Sequence, residues 1–153
     1  MTQIQFYHLT ATPLERALPR LLEKAIAAGF RSLVVCGSEE KAAWLDDVLW
    51  TYDGGSFLPH ATAKFGQAEA QPVFLAADAA QNPNSATLLA VTDGSSPESL
   101  PGYQRVIDIF DGANEEAVAR ARTRWSAYKQ QGHTLSYLRQ NASGSWEQKD
   151  AAA

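Results

Sequence analysis

The run Ser32-Leu-Val-Val-Cys36 constrains the fold more than any other segment, because it is apolar and β-rich without alternation. A strand with one wet face alternates apolar and polar residues, so a continuous run needs apolar cover on both faces, as in a parallel sheet flanked by helices. The preceding residues supply such a helix. Leu14, Ala17, Leu18, Leu21, Leu22, Ala25 and Ile26 recur at helical spacing, and Gly29 stands where a helix C-terminus favours left-handed backbone. Pro19 falls inside this pattern, so a kink or a later helix start is expected. Beyond the run, Gly37-Ser-Glu-Glu opens a second helix, with Ser38 as N-cap and Glu39 and Glu40 at its positive end. Ala42, Ala43, Leu45, Val48, Leu49 and Trp50 form its apolar side.

The remaining chain continues this alternation. Residues 4–9 read as a first strand, and further strands are expected at 73–76, 87–91 and 105–110, separated by Asn82-Pro-Asn and Asp93-Gly-Ser-Ser-Pro turns. Residues 61–71 hold few large apolar side chains and read as a loop. A third helix is expected over residues 115–131, and residues 133–138 read as a last, edge strand. The fold class is therefore α/β: one Rossmann-like domain over residues 1–140, with a mainly parallel sheet and helices on both faces. Residues 141–153 read as a flexible C-terminal tail with Trp146 as its apolar anchor. A length of 153 residues suits one core. No apolar stretch approaches the roughly 20 residues of a membrane span, and a lone Cys36 with no basic, apolar start points to the cytoplasm.

Such sheets bind ligands beyond the strand C-termini, which directs attention to the loop after Cys36. A small α/β enzyme or nucleotide-binding domain would use that loop. It reads Gly37-Ser38-Glu39-Glu40, with neither the three glycines of a dinucleotide site nor the lysine of a P-loop, and its acids oppose phosphate. His8, His60 and His133 stand apart with no ligand at metal spacing, and Cys36 reads as a buried structural thiol. Asp46 and Asp47 are adjacent and diverge on a helix, so they form no catalytic pair. No catalytic residues, metal site or cofactor are assigned.

Two features suit binding. The net charge of −4 hides a polarity: residues 120–139 hold five bases and no acid, +5, leaving eight bases against seventeen acids, −9, elsewhere. That pattern suits an acidic partner better than a DNA duplex. On the third helix Ala117, Val118, Ala121, Trp125 and Tyr128 share a stripe facing the sheet, and Arg122 and Lys129 project beside Trp125. Either Trp125 is core beside a solvated basic face, or the indole and the bases hold a carboxylate ligand between them. The second feature is the aromatic cluster Trp50, Tyr52, Phe57 and Phe65 around Asp53-Gly-Gly, either a satellite core or an exposed interface.

Several of these residues occur in motifs of a known family. Phe6-Tyr7, then Glu39-Glu40-Lys41-Ala42 with Leu45-Asp46 and Leu49-Trp50, Ser56-Phe57-Leu58-Pro59-His60, Val106-Ile107-Asp108, and Arg122-x-Arg124-Trp125-x-Ala127-Tyr128-Lys129-x-x-Gly132 span nearly the whole chain. Together they resemble the chi subunit of the bacterial DNA polymerase III holoenzyme. The resemblance implies a Rossmann-like domain without catalytic activity, linking the acidic C-terminal tail of single-stranded DNA-binding protein to the clamp loader. By the same resemblance Arg122, Trp125 and Lys129 hold that tail, with Ser126 and Val118 standing where the family often has bases. Trp50 and Phe57 correspond to the surface that takes a psi-like subunit or a helicase, and DNA is reached only indirectly.

Overall fold

The computed structural model describes residues 2–51, 60–62, 71–96 and 103–149. Along the chain run β1 (Gln3–Leu9), α1 (Leu14–Ala27), β2 (Ser32–Val35), α2 (Glu39–Thr51), β3 (Ala61–Thr62), β4 (Val73–Ala76), β5 (Leu88–Val91), β6 (Arg105–Asp111), α3 (Glu115–Gln130), β7 (Thr134–Gln140) and β8 (Trp146–Lys149). The strands form one sheet in the order β3-β4-β2-β5-β6-β1-β7-β8. Its pairings are parallel except for the antiparallel β7–β8 hairpin.

Burial on both faces follows from where the helices lie. All four residues of β2 are buried, as an unbroken apolar run requires. Leu18, Leu22, Leu45 and Leu49 of α1 and α2 pack with Val34, Leu75 and Ile109 on one face. On the other face Ala121, Trp125 and Tyr128 of α3 pack with Phe6, Leu33 and Phe110. Burial of an aliphatic side chain contributes about 1.5–3 kcal/mol relative to exposure, and both faces of the central strands gain it. Ser38 caps α2 by accepting the Lys41 N–H at 3.0 Å. Among the described residues no helix is long and apolar enough to cross a membrane.

The structure departs from sequence expectation at several points. Helix α1 runs through Pro19, whose side chain is buried with Leu18 and Leu22 and so trades a backbone hydrogen bond for core packing. Within the segment read as a loop, Ala61–Thr62 pair with β4 as a short edge strand. Residues 133–138 do not end the sheet: β7 is flanked by β1 and β8. Within the stretch read as a tail, Trp146–Lys149 form β8, and Trp146 meets Tyr7 edge-on at 4.9 Å. Gln140 ties this end to the β1–α1 turn. Its side-chain oxygen accepts from the Thr10, Ala11 and Thr12 N–H groups at 2.9–3.1 Å, and its amide donates to Thr12 Oγ1 at 2.7 Å.

Candidate functional site

The loop after Cys36 is closely packed at its glycine. Gly37 has φ of +97°, and a Cβ there would lie 2.9 Å from Cβ of Asp93, so an acidic side chain already crowds this turn. The Cys36 thiol is buried, and burial together with Asp93 pushes it up to about 12, far from a nucleophile's range. A cavity of about 680 Å³ does open beside the C-terminal ends of β1 and β6, with Trp44, Lys41 and Arg120 on its walls. Glu15, Asp93 and Asp111 line it too, which works against a polyphosphate. Among the described residues no three His, Cys, Asp or Glu side chains gather as a metal ion requires.

Helix α3 carries the basic stretch. It begins at Asn114, whose side chain accepts the Ala117 N–H at 3.1 Å, with Glu115 and Glu116 in the first turn. The five bases separate into different environments. Arg124 is buried and grips Asp108 of β6 with two hydrogen bonds of 2.7 and 2.8 Å, while its remaining arm donates to the Gly94 carbonyl at 3.1 Å. Burial pushes the Asp108 carboxyl up, and the Arg124 bonds pull against that shift without overcoming it. Arg124 is therefore a fastener between α3 and the sheet, and it leaves the surface patch. Arg120 pairs with Glu116 one turn back along the helix. Arg122, Lys129 and Arg139 remain exposed.

Trp125 is core: it is 8% exposed and meets Phe6 edge-on at 5.3 Å. Its ring also lies 6.1 Å from that of Tyr137 on β7, so Arg122, three residues earlier on the same side of α3, borders the β7 strand. Strand alternation turns Leu135 and Tyr137 toward α3, and Arg139 follows on that face. Arg139 is the register partner of His8 on β1. His8 in turn is hydrogen-bonded through Nδ1 to the Tyr137 hydroxyl and stacks against Phe110 at 4.9 Å. Burial lowers the His8 pKa, Arg139 and Arg122 lower it further, and Asp111 opposes them. The same two arginines pull down the Tyr137 phenol against the upward push of its burial. Exposed bases of α3 and β7 thus flank the Trp125–Tyr137 contact. Sequence reading found the helix bases but not the strand beside them; the signal was period-two spacing of Tyr137 and Arg139, with His8 taken singly.

On the opposite face of the sheet, Trp50 ends α2 with 54% of its surface exposed. Its ring rests on His60 at 4.9 Å, and His60 Nε2 lies 3.0 Å from the Asp46 carboxylate. The sequence placed Ala43 and Trp50 on the buried side of α2, yet both are exposed: the helix buries Ala42, Leu45, Asp46 and Leu49 instead. Phe57, with Tyr52 and Phe65, lies outside the described residues. Trp44, 43% exposed, is a second surface indole that sequence reading did not single out.

Fold and site together define an open, mainly parallel α/β module with exposed bases on one face and an exposed indole on the other. The chain belongs to the DNA polymerase III chi subunit family: the family model for "DNA polymerase III chi subunit, HolC" matches residues 1–136. It is similar to the DNA polymerase III subunit chi of Pseudomonas aeruginosa, with 32% identity over 139 residues, covering 88% of this chain and 94% of the relative. The subunit chi of Escherichia coli is 28% identical over 109 residues, 71% of this chain and 74% of that protein. A probable subunit chi of Rickettsia prowazekii is 28% identical over 110 residues, 72% of this chain and 66% of that one.

Proposed function

We propose that this chain is a non-catalytic adaptor of DNA replication in the cytoplasm, an accessory subunit that joins single-stranded DNA-binding protein to the polymerase III clamp-loader complex. The acidic C-terminal tail of single-stranded DNA-binding protein occupies the α3 edge, with Arg122 and Lys129 on its carboxylates beside Trp125. A psi-like subunit or a helicase docks on Trp50 and Phe57, and DNA is approached only through its binding protein. One observation carries the reading: Arg122 and Lys129 stand exposed with no ion-pair partner among the described residues, next to an aromatic wall, on a chain that is acidic elsewhere. Charge-assisted hydrogen bonds suit a carboxylate there, and the indole edge offers contact to an apolar residue. Because Trp125 is almost fully buried, it supports that contact with its rim while the guanidinium and ammonium groups supply most of the attraction.

Calorimetry with an acidic peptide ending in phenylalanine tests this. The intact chain binds it, and Arg122→Ala weakens binding by about 1.5–3 kcal/mol with the fold retained, since the residue is exposed. Equal affinity for the folded variant overturns the site.

A further inference from the structure

Strands β1 and β6 are parallel neighbours, yet the helices that follow them leave in opposite directions: α1 packs on the face of Leu45 and Ile109, α3 on the face of Phe6 and Phe110. Where adjacent strands feed helices on opposite faces, the chain parts above their carboxyl ends, and an open sheet has its ligand crevice there. The cavity of about 680 Å³ occupies this crevice, walled by the ends of β1 and β6, the first turns of α1 and α3, the turn after β5, and Trp44 of α2. Its size suits a side chain or a small molecule. What it can hold follows from its charges. Arg124 is committed to Asp108 and Arg120 to Glu116, which leaves Lys41 as the free base on the walls. Against it stand Glu15, Asp93 and Asp111, none of which has an ion-pair partner among the described residues. Oδ1 of Asp93 accepts the Ser95 N–H at 3.1 Å and Oδ1 of Asp111 accepts the Ala113 N–H at 2.9 Å, so each acid serves its own turn with one oxygen and keeps the other for the crevice. The positive end of α1 is already matched by Glu15 and that of α3 by Glu115 and Glu116, so the helix starts add little attraction for an anion.

We propose that this crevice is a receptor for a guanidinium group, which lies on the Trp44 indole and donates to the free oxygens of Asp93 and Asp111, with Glu15 adding to its neutralisation. Three free carboxylates to one ammonium favour a cation. Trp44, 43% exposed on the wall, selects the kind of cation, because an indole face attracts a positive charge laid over it. A guanidinium is planar and weakly hydrated, and its five donors let it stack on the ring while its edge reaches carboxylates from separate elements. A compact ammonium holds its water more strongly and has no flat face to stack. The group is presented either by an arginine side chain of a protein partner or by a free guanidinium compound; the chemistry is shared, and the test separates the two. The site uses neither Arg122 and Lys129 nor Trp50, so it stands apart from the proposed adaptor surfaces.

The test is an NMR titration of the isotope-labelled intact chain. The probes are ethylguanidinium, a blocked glycine–arginine–glycine peptide, and the same peptide with lysine or with citrulline, the neutral analogue of arginine. The arginine peptide should shift the Trp44 indole N–H and the backbone amides of Glu15, Gly94 and Asp111 saturably, the lysine peptide should bind several-fold more weakly, and the citrulline peptide should shift none of them at equal concentration. Trp44→Ala, an exposed position, should weaken the arginine peptide by about 3- to 30-fold. Asp111→Asn, which keeps the acceptor its turn uses, should weaken it by about 10-fold; it serves alone if Trp44→Ala does not fold. Ethylguanidinium binding as tightly as the arginine peptide assigns the crevice to a free compound, and a peptide advantage of about 10-fold or more assigns it to an arginine of a partner. Equal shifts from the citrulline peptide, unchanged affinity in folded Trp44→Ala or Asp111→Asn, or no shift at these four positions would each overturn the proposal. Shifts there with adenosine monophosphate but not with the arginine peptide would overturn it too, since the crevice would then take an anion against its own charges.

Discussion

Replacing Asp108 by asparagine isolates what fastens α3 to the sheet. Arg124 is 5% exposed and Asp108 1%, and two hydrogen bonds of 2.7 and 2.8 Å join them. Asparagine keeps the shape and one acceptor oxygen but removes the negative charge and turns the second oxygen into an N–H donor facing the guanidinium, so a buried cation is left with one amide oxygen and the Gly94 carbonyl, 3.1 Å from one arm. Removing one partner of such a pair costs about 3–5 kcal/mol, against a total stability of roughly 5–15 kcal/mol for a domain. For a chain of this size each kcal/mol shifts the melting temperature by about 2–4 °C, so the midpoint should fall by roughly 6–20 °C. Thermal and urea unfolding followed by circular dichroism measure this. The double variant Arg124→Met with Asp108→Leu should recover most of the loss, because it removes both desolvated charges together. An Asp108→Asn variant within about 1 kcal/mol of the intact chain would refute the reasoning, since the pair would then contribute little to holding the helix.

Cys36 should resist thiol reagents in the native state: with its pKa near 12, the thiolate is almost absent at pH 8, and labelling should track global unfolding by urea. Rapid labelling in native buffer would contradict its burial. Gly112→Ala should destabilise the fold by about 1–3 kcal/mol or more, because the added Cβ would lie 2.1 Å from His8 Nε2 and 2.4 Å from the Leu9 carbonyl oxygen, and backbone cannot yield as a side-chain end does. Its readout is a lowered urea midpoint. Acid should destabilise the chain as pH falls through about 6.5, the ordinary histidine value, because the unfolded chain takes up a proton that folded His8, lowered by burial and two arginines, resists. In a His8→Phe variant that part of the pH dependence should vanish from the melting curve. Trp50→Ala with Phe57→Ala should abolish capture of a psi-like subunit or helicase in a pull-down and spare the acidic peptide; equal capture by a folded double variant would make the exposed indole idle.

Much of this fold was legible because burial leaves a periodic trace. The unbroken Ser32–Val35 run and the helical spacing from Leu14 to Ile26 each require a specific kind of cover, and both are realised. Elements held by pairing rather than by burial were not legible. Ala61–Thr62 is two residues long, and the β8 strand shows only Trp146 as an apolar anchor, with Glu147 and Gln148 exposed at the sheet edge. Charge was the least legible property. Five bases in sequence look equivalent, yet Arg124 is buried on Asp108 while Arg122, two residues earlier and turned nearly opposite on the helix, is exposed, and Arg120 is paired with Glu116. The neighbourhood of the α3 bases was hidden for a topological reason: β1 and β7 are adjacent in the sheet and 125 or more residues apart in sequence, so no local pattern joins His8 to Tyr137 and Arg139.

Placement on opposite faces bears on how an adaptor would work. Helix α2, with Trp50, packs on the face of the sheet that holds Leu45 and Leu49, whereas α3, with Arg122, packs on the face that holds Phe6 and Phe110. Under the proposed function, partners at the two positions would meet separate surfaces, and neither would need to leave for the other to bind. Sites this far apart with no shared contacts are expected to behave additively to within about 0.3–0.5 kcal/mol, so their energetic coupling should be small. A bridge built this way holds both partners by independent affinities and gains strength from their linkage rather than from any conformational signal.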